Sequence, residues 1–110
     1  MIKVIFLIAS VLEAECSICD LQEKQLVVST VLNRWESKDF PDSIEDVIFQ
    51  KNQFVTKKPS QESIEITKQV ISGIGRNYSV LYFYKPNKIN KKIMESKKII
   101  YKKKYHYYAK

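Results

Sequence analysis

The stretch Gln25-Leu26-Val27-Val28-Ser29-Thr30-Val31-Leu32-Asn33-Arg34-Trp35 decides how the chain folds. Its apolar residues recur at helical spacing, which predicts a buried helix although valine and threonine lower the helix propensity. Trp35 is expected to belong to the core, and Asn33 is expected to hold a helix connection. Before this stretch, residues 2–14 carry apolar side chains nearly all round and predict a first buried helix.

Two further helices are predicted downstream, each begun by a residue that can cap it. The short helix is predicted to begin after a cap at Asp42 or Ser43 and to end at Ile48. The longer helix is predicted to begin after a cap at Ser60 and to end at Gly73 and Gly75. The glycines end the longer helix because they accept the left-handed backbone of a helix terminus. Residues 50–58 between the two helices are predicted to form a loop, with a short strand at 53–56 as the alternative.

Apart from that alternative, strands are predicted towards the end of the chain. Residues 79–84 form an aromatic and β-branched run, which Pro86-Asn87 ends. Two more short strands are predicted at residues 98–101 and 104–108. Because the helices come first and the strands last, the order predicts an α+β fold with a small antiparallel sheet after the helices.

The length of the chain predicts a single domain. It has 110 residues, of which 45% are hydrophobic and 28% are charged. A chain of this size buries roughly 65% of its unfolded surface when it forms one compact domain, so residues 1–110 are predicted to be one unit. The longest apolar run, residues 4–12 interrupted by Ser10, is shorter than the ~18 residues of a membrane span, and no spanning helix is expected.

The positive charge is concentrated in the last quarter of the chain. Residues 1–84 contain nine basic and eleven acidic residues, whereas residues 85–110 contain ten lysines and one acid, Glu95. A lysine-rich section of this kind attracts polyanions such as nucleic acid, anionic lipid or anionic wall polymers. The alternative is an ordinary solvated surface with many lysines.

The two cysteines, Cys16 and Cys19, form one Cys-x-x-Cys motif. A structural zinc site needs four ligands, and the one histidine, His106, lies far away in the sequence, so no metal site is predicted. A redox pair would need a strand before Cys16, where a helix is predicted instead. Two ordinary thiols in a reducing compartment are therefore the favoured interpretation, and no cofactor is expected.

A Glu-Ala-Glu motif, Glu13-Ala14-Glu15, closes the first predicted helix. A carboxylate at a helix end among apolar neighbours loses hydration, which raises its pKa and suits it to act as a general acid. Taken alone, the pattern more often marks a solvated glutamate at a helix end.

Several motifs together resemble those of the SleB-type cell wall hydrolases, the spore cortex-lytic enzyme family. The matching segments, in order, are residues 8–15, Val31-Leu32-Asn33-Arg34, residues 40–44 and 47–50, Gln53-Phe54, Leu81-Tyr82-Phe83-Tyr84 with Pro86, and His106 with Tyr107 and Tyr108. The resemblance covers almost the whole chain. It implies a lysozyme-like or lytic-transglycosylase-like fold and cleavage of peptidoglycan glycan strands between N-acetylmuramic acid and N-acetylglucosamine.

The resemblance also implies which glutamate is catalytic. Counted back without a gap from Asn33-Arg34, the family's catalytic glutamate falls on Glu15. The family's Glu-Ala-Arg-Gly-Glu is here Glu15-Cys16-Ser17-Ile18-Cys19, so Cys19 stands where the family has a second acid. Hydrolysis normally uses two carboxylates, whereas lytic transglycosylation needs one group that serves first as acid and then as base. We expect the single-acid route, with Glu15 in both roles.

Four further side chains are expected to bind the sugar substrate. Tyr82 and Tyr84 share one face of a predicted strand, with Phe83 on the other, and tyrosines facing a groove can stack on sugar rings. The alternative is that Phe83 fills the core and the tyrosines only cover it. Gln53 is expected to hydrogen-bond an N-acetyl group, and His106 to contact substrate or to orient Tyr82.

Two other functions remain open from the sequence. Lysines interleaved with tyrosines in residues 97–110 could bind nucleic acid, in a manner that would survive loss of Glu15. A degenerate family member could also bind the wall without cleaving it. The favoured interpretation is a wall-cleaving enzyme, such as a phage or prophage lysin, whose section 85–110 adheres to an anionic wall, with no nucleic-acid partner.

The start of the chain has two interpretations. Lys3 and the apolar run after it resemble a short secretion leader, with small residues Ala9, Ser10 and Ala14 near a cleavage point. A retained, buried first helix is favoured. We therefore expect cytoplasmic synthesis, followed by release to the wall or packaging in a phage particle.

Overall fold

The computed structural model describes residues 1–51 and 53–110, and in them four of the five helices come before the first strand while the fifth lies between the first and second strands. The helices are α1 (Ile2–Cys16), α2 (Leu21–Glu36), α3 (Ile44–Ile48), α4 (Gln61–Ile71) and α5 (Lys91–Ser96). The strands are β1 (Tyr82–Tyr84), β2 (Ile99–Lys102) and β3 (Tyr107–Ala109), and a 3-10 turn covers Pro86–Lys88. In this part of the chain, no helix is long and apolar enough to cross a bilayer.

The core lies between α1, α2 and α4, and α2 is its central element. The second half of α1 buries Ile8, Val11 and Leu12 against α2. Ile2 and Phe6 in the first half are exposed, so the burial predicted for residues 2–14 is wrong for the first turns. The apolar residues there are more numerous than the positions that the neighbouring helices cover.

Capping side chains set the starts of four helices, α2 to α5, and the cap of α5 is Asn90. Ser43 accepts a hydrogen bond from the Asp46 amide at 3.1 Å and Ser60 accepts one from the Ser63 amide at 3.1 Å, as predicted for α3 and α4. The helix α2 begins at Leu21, four residues earlier than predicted, because Asp20 accepts from the Glu23 amide at 2.8 Å.

The predicted end of α4 is confirmed. Its last residue is Ile71, and Gly73 and Gly75 follow with φ of 103° and 73°. Gly75 is favoured by its backbone conformation, and a Cβ there would in addition displace the terminal amide of Gln25. The predicted loop then follows the short helix α3, and the alternative strand at 53–56 is not formed. Residue 52 of that loop lies outside the described residues.

The three strands form one antiparallel sheet in the order β1-β3-β2. The last strand is therefore central, and it pairs Tyr108 with Phe83 on one side and with Tyr101 on the other. The strands β1 and β3 are shorter than predicted, whereas β2 has the predicted length and is shifted by one residue. The helix α5 was not predicted because none of its residues is buried, so its sequence shows no apolar face.

Asn33 connects α2 to the segment that leads into the sheet, as expected. Its Nδ2 donates to the carbonyl oxygens of Asn77 and Val80, both at 2.8 Å. Its Oδ1 accepts from Arg76 at 2.9 Å. The neighbouring Arg34 donates from Nε to the Leu81 carbonyl at 2.7 Å. These side chains replace the backbone partners that an irregular segment would otherwise lack.

Replacing Asn33 should destabilise the fold. We expect Asn33→Ala to lower the free energy of unfolding by about 2–4 kcal/mol, because each buried carbonyl that loses its donor costs about 1–3 kcal/mol. Urea unfolding followed by far-UV circular dichroism measures this difference. The exposed Asn87 supplies the control, since Asn87→Ala should stay within about 0.5 kcal/mol of wild type. Equal losses in the two variants would contradict the assigned role.

Candidate active site

Four of the five sequence-predicted site residues line one cleft of about 260 Å³. They are Glu15 at the end of α1, Gln53 in the loop after α3, Tyr84 at the end of β1 and His106 just before β3. The remaining lining residues are Phe83, Lys85 and Lys88. The cleft therefore forms where the first helix meets the central and first strands of the sheet.

Tyr82, the fifth predicted residue, lies beside this cleft. Its ring stacks on Tyr84 with centroids 6.4 Å apart and planes 8° from parallel, so the two tyrosines share one face as the strand period predicts. Phe83 takes the other face and contacts the rings of His106 and Tyr108 at 4.9 and 6.0 Å. His106 therefore packs against Phe83 and not against Tyr82, and the prediction that it orients Tyr82 is wrong.

The environment of Glu15 favours its protonated form. Burial raises the pKa of this carboxyl because the charged form loses hydration, while Lys85 and a hydrogen bond from the Val55 backbone partly oppose the change. Glu15 remains accessible, since it lines the cleft. Glu15 is therefore a carboxyl that keeps its proton to a higher pH than an exposed glutamate does, and it faces the cleft.

Glu13, two residues earlier and therefore on a different side of α1, has the opposite environment. Its Oε1 accepts from the Ser60 amide at 2.8 Å and from the Ser63 hydroxyl at 2.8 Å. These hydrogen bonds, with Lys57 nearby, lower its pKa. Glu13 thus joins α1 to the start of α4, and its role is structural.

A second groove of about 300 Å³ also includes Glu15 and His106. Its other lining residues are Ile18, Lys85, Pro86, Asn87, Lys104 and Tyr105. Among the described residues, Glu15 is the one carboxylate that lines either space, whereas three lysines do so. The site therefore offers one acid in a positively charged surround, which favours substrates that carry negative charge.

His106 is held by a buried glutamate that sequence analysis missed. Glu23 accepts from the Tyr108 hydroxyl at 2.7 Å and from the Tyr105 amide at 2.9 Å, and its Oε2 lies 3.2 Å from His106 Nδ1. Burial lowers the pKa of His106, so the imidazole is neutral at pH 7. The available signal was the position of Glu23, four residues before Val27 and on the buried face of α2.

Arg34 is a second missed residue. Its Nη1 donates to Gln53 Oε1 at 2.8 Å, which anchors one of the cleft residues. Its guanidinium lies over the rings of Phe40, Phe54 and Tyr82 at 4.9–5.2 Å. Burial lowers the pKa of Arg34 to about 10, so the side chain stays charged at neutral pH. The cation–π contacts offset part of the lost hydration.

The family profile described as Cell Wall Hydrolase matches residues 20–109 of this sequence. The chain belongs to the cell wall hydrolase family. It is thus an enzyme of the class that acts on peptidoglycan, as the sequence motifs indicated.

Two solved structures share the fold of this cell wall hydrolase. The catalytic domain of the Bacillus cereus SleB protein has a TM-score of 0.85 and 22% identity, over 100% of this chain and 91% of that chain. The catalytic domain of the germination-specific lytic transglycosylase SleB from Bacillus anthracis has a TM-score of 0.80 and 22% identity, over 97% and 93%. The expected lysozyme-like α+β fold is confirmed. A search of the curated proteins finds no match.

The cysteines of this cell wall hydrolase differ from the prediction. Cys16 and Cys19 are joined in a disulfide, so the expectation of two free thiols is wrong. His106 Nδ1 lies 4.0 Å from Cys16 Sγ although the two residues are 90 positions apart in sequence. The large separation of His106 from the cysteines along the chain therefore does not exclude a metal site in the folded protein.

The two glutamates of α1 should affect stability in opposite directions. We expect Glu15→Gln to raise the free energy of unfolding at pH 7, because it removes a charge whose burial is unfavourable. This gain should vanish as the pH falls below the carboxyl pKa in the unfolded chain, where both states bind the proton. Urea unfolding at pH 7 and at pH 3 measures both values.

Glu13→Gln serves as the matched comparison. The pKa of Glu13 is lowered, so its ionised form stabilises the fold above the unfolded pKa, and that contribution is lost as the pH falls through the folded pKa. The Glu13→Gln variant should therefore be less stable than wild type at pH 7. A loss of stability in Glu15→Gln at neutral pH would contradict the assigned environment.

Proposed function

We propose that this cell wall hydrolase cleaves peptidoglycan glycan strands between N-acetylmuramic acid and N-acetylglucosamine by lytic transglycosylation, with Glu15 as general acid and base. The observation that carries the proposal is that Glu15 is the single acid of the cleft in the described residues, and burial raises its pKa. Hydrolysis with two carboxylates would need a partner acid about 5–9.5 Å away, across the same cleft. The likeness to a lytic transglycosylase of Bacillus anthracis supports the same reaction.

The chemistry follows from one proton carried by Glu15. The protonated carboxyl donates to the glycosidic oxygen, and the bond between this oxygen and the anomeric carbon of the muramic acid breaks. The carboxylate then accepts the proton of the 6-hydroxyl of the same sugar while its oxygen bonds to the anomeric carbon. A 1,6-anhydro ring closes, no water is consumed, and Glu15 is protonated again.

The surroundings suit both halves of this cycle. Burial keeps the proton on Glu15 before cleavage, and the nearby Lys85 stabilises the carboxylate formed after it. Because the two effects shift the pKa of Glu15 in opposite directions, the carboxyl can act first as an acid and then as a base. The second acid of the family pattern is replaced by Cys19, which is disulfide-bonded and cannot serve as a base.

The substrate residues have distinct proposed roles. The Tyr84 ring stacks on a sugar ring, and Tyr82 supports it from the same strand face. Gln53 donates from its amide nitrogen to an N-acetyl carbonyl, because Arg34 already occupies its oxygen. His106, neutral and held by Glu23, lines the cleft beside them. Lysines around the cleft attract the carboxylates of the muramic acid and peptide groups.

The reaction is tested by digesting purified peptidoglycan and identifying the products by mass spectrometry. Wild type should release fragments with 1,6-anhydromuramic ends. Glu15→Gln should cleave about 10²–10⁴-fold more slowly, because the variant can neither give nor take the proton. Glu13→Gln, which changes an acid outside the cleft, should release the same products once its folding has been checked.

The other outcomes have clear meanings. Reducing ends one water heavier would identify a hydrolase and overturn transglycosylation. Full activity in Glu15→Gln would overturn the assignment of the acid. A folded wild type that binds peptidoglycan without releasing products would identify a degenerate, wall-binding member of the family.

We also propose that the lysine-rich section, residues 85–110, adheres to anionic polymers of the wall. It contains ten lysines and one acid, and α5 within it buries none of its residues. An exposed helix that contributes nothing to the core is available for contact with a partner. The attraction should be screened by salt, because the Debye length falls from about 8 Å at 0.15 M to about 3 Å at 1 M.

Elution of wall-bound protein measures this adhesion. Wild type should be washed off purified walls as sodium chloride rises towards 1 M. Changing Lys91, Lys92 and Lys98 to glutamine should lower the salt needed for elution, whereas the same change at Lys38, Lys51 and Lys58 should not. Retention that is independent of salt, or equal loss in the two triple variants, would contradict the proposal.

A further inference from the structure

Four side chains of the types that bind transition metals meet beside the cleft: Cys16, Cys19, Glu23 and His106. Their exposed fractions are 1%, 7%, 1% and 2%, and their ligand atoms all lie within 4.8 Å of one another. The cluster combines the end of α1 with the turn after it, the first turn of α2 and the residue before β3.

We propose that these four side chains bind one zinc ion when the disulfide is reduced. Glu23 Oε2 lies 3.9 Å from Cys16 Sγ, 3.7 Å from Cys19 Sγ and 3.2 Å from His106 Nδ1, and Cys16 Sγ lies 4.0 Å from His106 Nδ1. Tetrahedral zinc with bonds of about 2.0–2.3 Å holds its ligand atoms about 3.3–3.8 Å apart. These separations therefore already approach those of a zinc site, and reduction frees the two sulfurs to move apart.

The groups around the cluster are suited to support a metal. The Tyr108 hydroxyl donates to Glu23 Oε2 at 2.7 Å and the Tyr105 amide donates to Glu23 Oε1 at 2.9 Å, so the carboxylate orientation is set before any ion binds. His106 packs edge-on against Phe83, which limits rotation of its ring. Such outer contacts fix ligand geometry in metal sites.

The donor set selects the metal. Two thiolates, one imidazole and one carboxylate favour zinc over magnesium or calcium, which prefer oxygen ligands. With four protein ligands the site would be structural, because no position is left for water or substrate. An entrance exists, since a depression of about 260 Å³ beside Cys19 and Glu23 is lined by Lys104 and Tyr105.

Binding requires a defined exchange of electrons and protons. Two thiol groups of a reductant, or one phosphine together with one water molecule, supply two electrons and two protons that convert the Cys16–Cys19 bond into two thiols. The reductant leaves as a disulfide or as a phosphine oxide whose oxygen comes from the water. The two thiols then lose one proton each to solvent as zinc binds, and the imidazole proton moves to Nε2 so that Nδ1 can bind. The disulfide and the zinc site are therefore mutually exclusive states of the same four side chains.

The disulfide and the bound zinc ion would each cross-link the same part of the molecule. The disulfide joins the end of α1 to the turn that follows, directly after Glu15. Zinc would do the same and would add Glu23 and His106 to the connection. The wall of the cleft would thus be cross-linked in reducing as well as in oxidising surroundings. The proposal concerns metal binding and does not depend on the reaction proposed for Glu15.

The test uses the full chain, oxidised and reduced, and zinc alone as the probe. Each form is incubated with zinc, desalted and analysed for metal content and free thiols. We expect about one zinc ion per reduced chain and almost none per oxidised chain. Cobalt in place of zinc should give thiolate-to-cobalt charge-transfer absorption in the reduced chain. Far-UV circular dichroism confirms that each sample is folded.

Variants separate this site from adventitious binding. Cys19→Ser and Glu23→Gln should each weaken zinc binding by at least about tenfold, and Cys16→Ser combined with Cys19→Ser should abolish the cobalt absorption. Glu13→Gln removes a nearby carboxylate outside the cluster and should keep the stoichiometry. A folded, reduced wild type with two free thiols and no bound zinc would overturn the proposal, as would undiminished binding by the double serine variant.

Discussion

The buried carboxylate of Glu23 is the group on which the closure of this fold depends. A carboxylate removed from water costs several kcal/mol unless donors replace the lost hydration. The Tyr105 amide and the Tyr108 hydroxyl are those donors, and they come from the last residues of the chain. The helical half and the sheet therefore stabilise each other, because Glu23 is satisfied only when the final strand has taken its central place. His106 lies between the two tyrosines and is carried to the cleft by the same event.

The helix α2 is joined to the sheet region at both of its ends. Glu23 lies in its first turn, and Asn33 and Arg34 lie in its last, so both ends are joined by side chains to the strands or to the segments that lead into them. The middle of α2 is apolar and packs on α1. The cleft forms where the end of α1 meets β1 and the residue before β3. This position between helix and sheet explains why Glu15, at the end of α1, is partly buried and still open to a ligand.

The chemistry of the site follows from which side chains line the cleft. Glu13 and Glu15 are two residues apart, yet one accepts hydrogen bonds from α4 and the other faces the cleft. Although the two residues are close in sequence, Glu13 is thus a structural anion and Glu15 an acid that retains its proton. The turn after Glu15 contains two cysteines in place of further acids, which leaves the cleft with one carboxylate among the described residues and gives its wall a covalent cross-link.

Interactions that span only a few residues could be predicted from the sequence. The caps at Ser43 and Ser60, the glycine end of α4 and the alternation of Tyr82 and Tyr84 each depend on neighbours within one helical turn or one strand period. The family motifs added Glu15 as the expected acid, whereas the local helix and strand patterns had already predicted the first four helices and the strands after them. The helix α5 was missed because it has no apolar face, and the four-residue error at the start of α2 came from an unrecognised cap.

The sequence by itself thus determined the family, the order of the elements apart from α5, and most of the local signals that begin and end them. Only the tertiary structure decided which acids are buried, which tyrosine lines the cleft and that His106 meets Glu23 and Cys16 across separations of 83 and 90 residues. The physical reason is that hydration, pKa and hydrogen-bond partners are properties of an environment. That environment exists only after β3 has paired between β1 and β2 and brought the end of the chain back to its beginning.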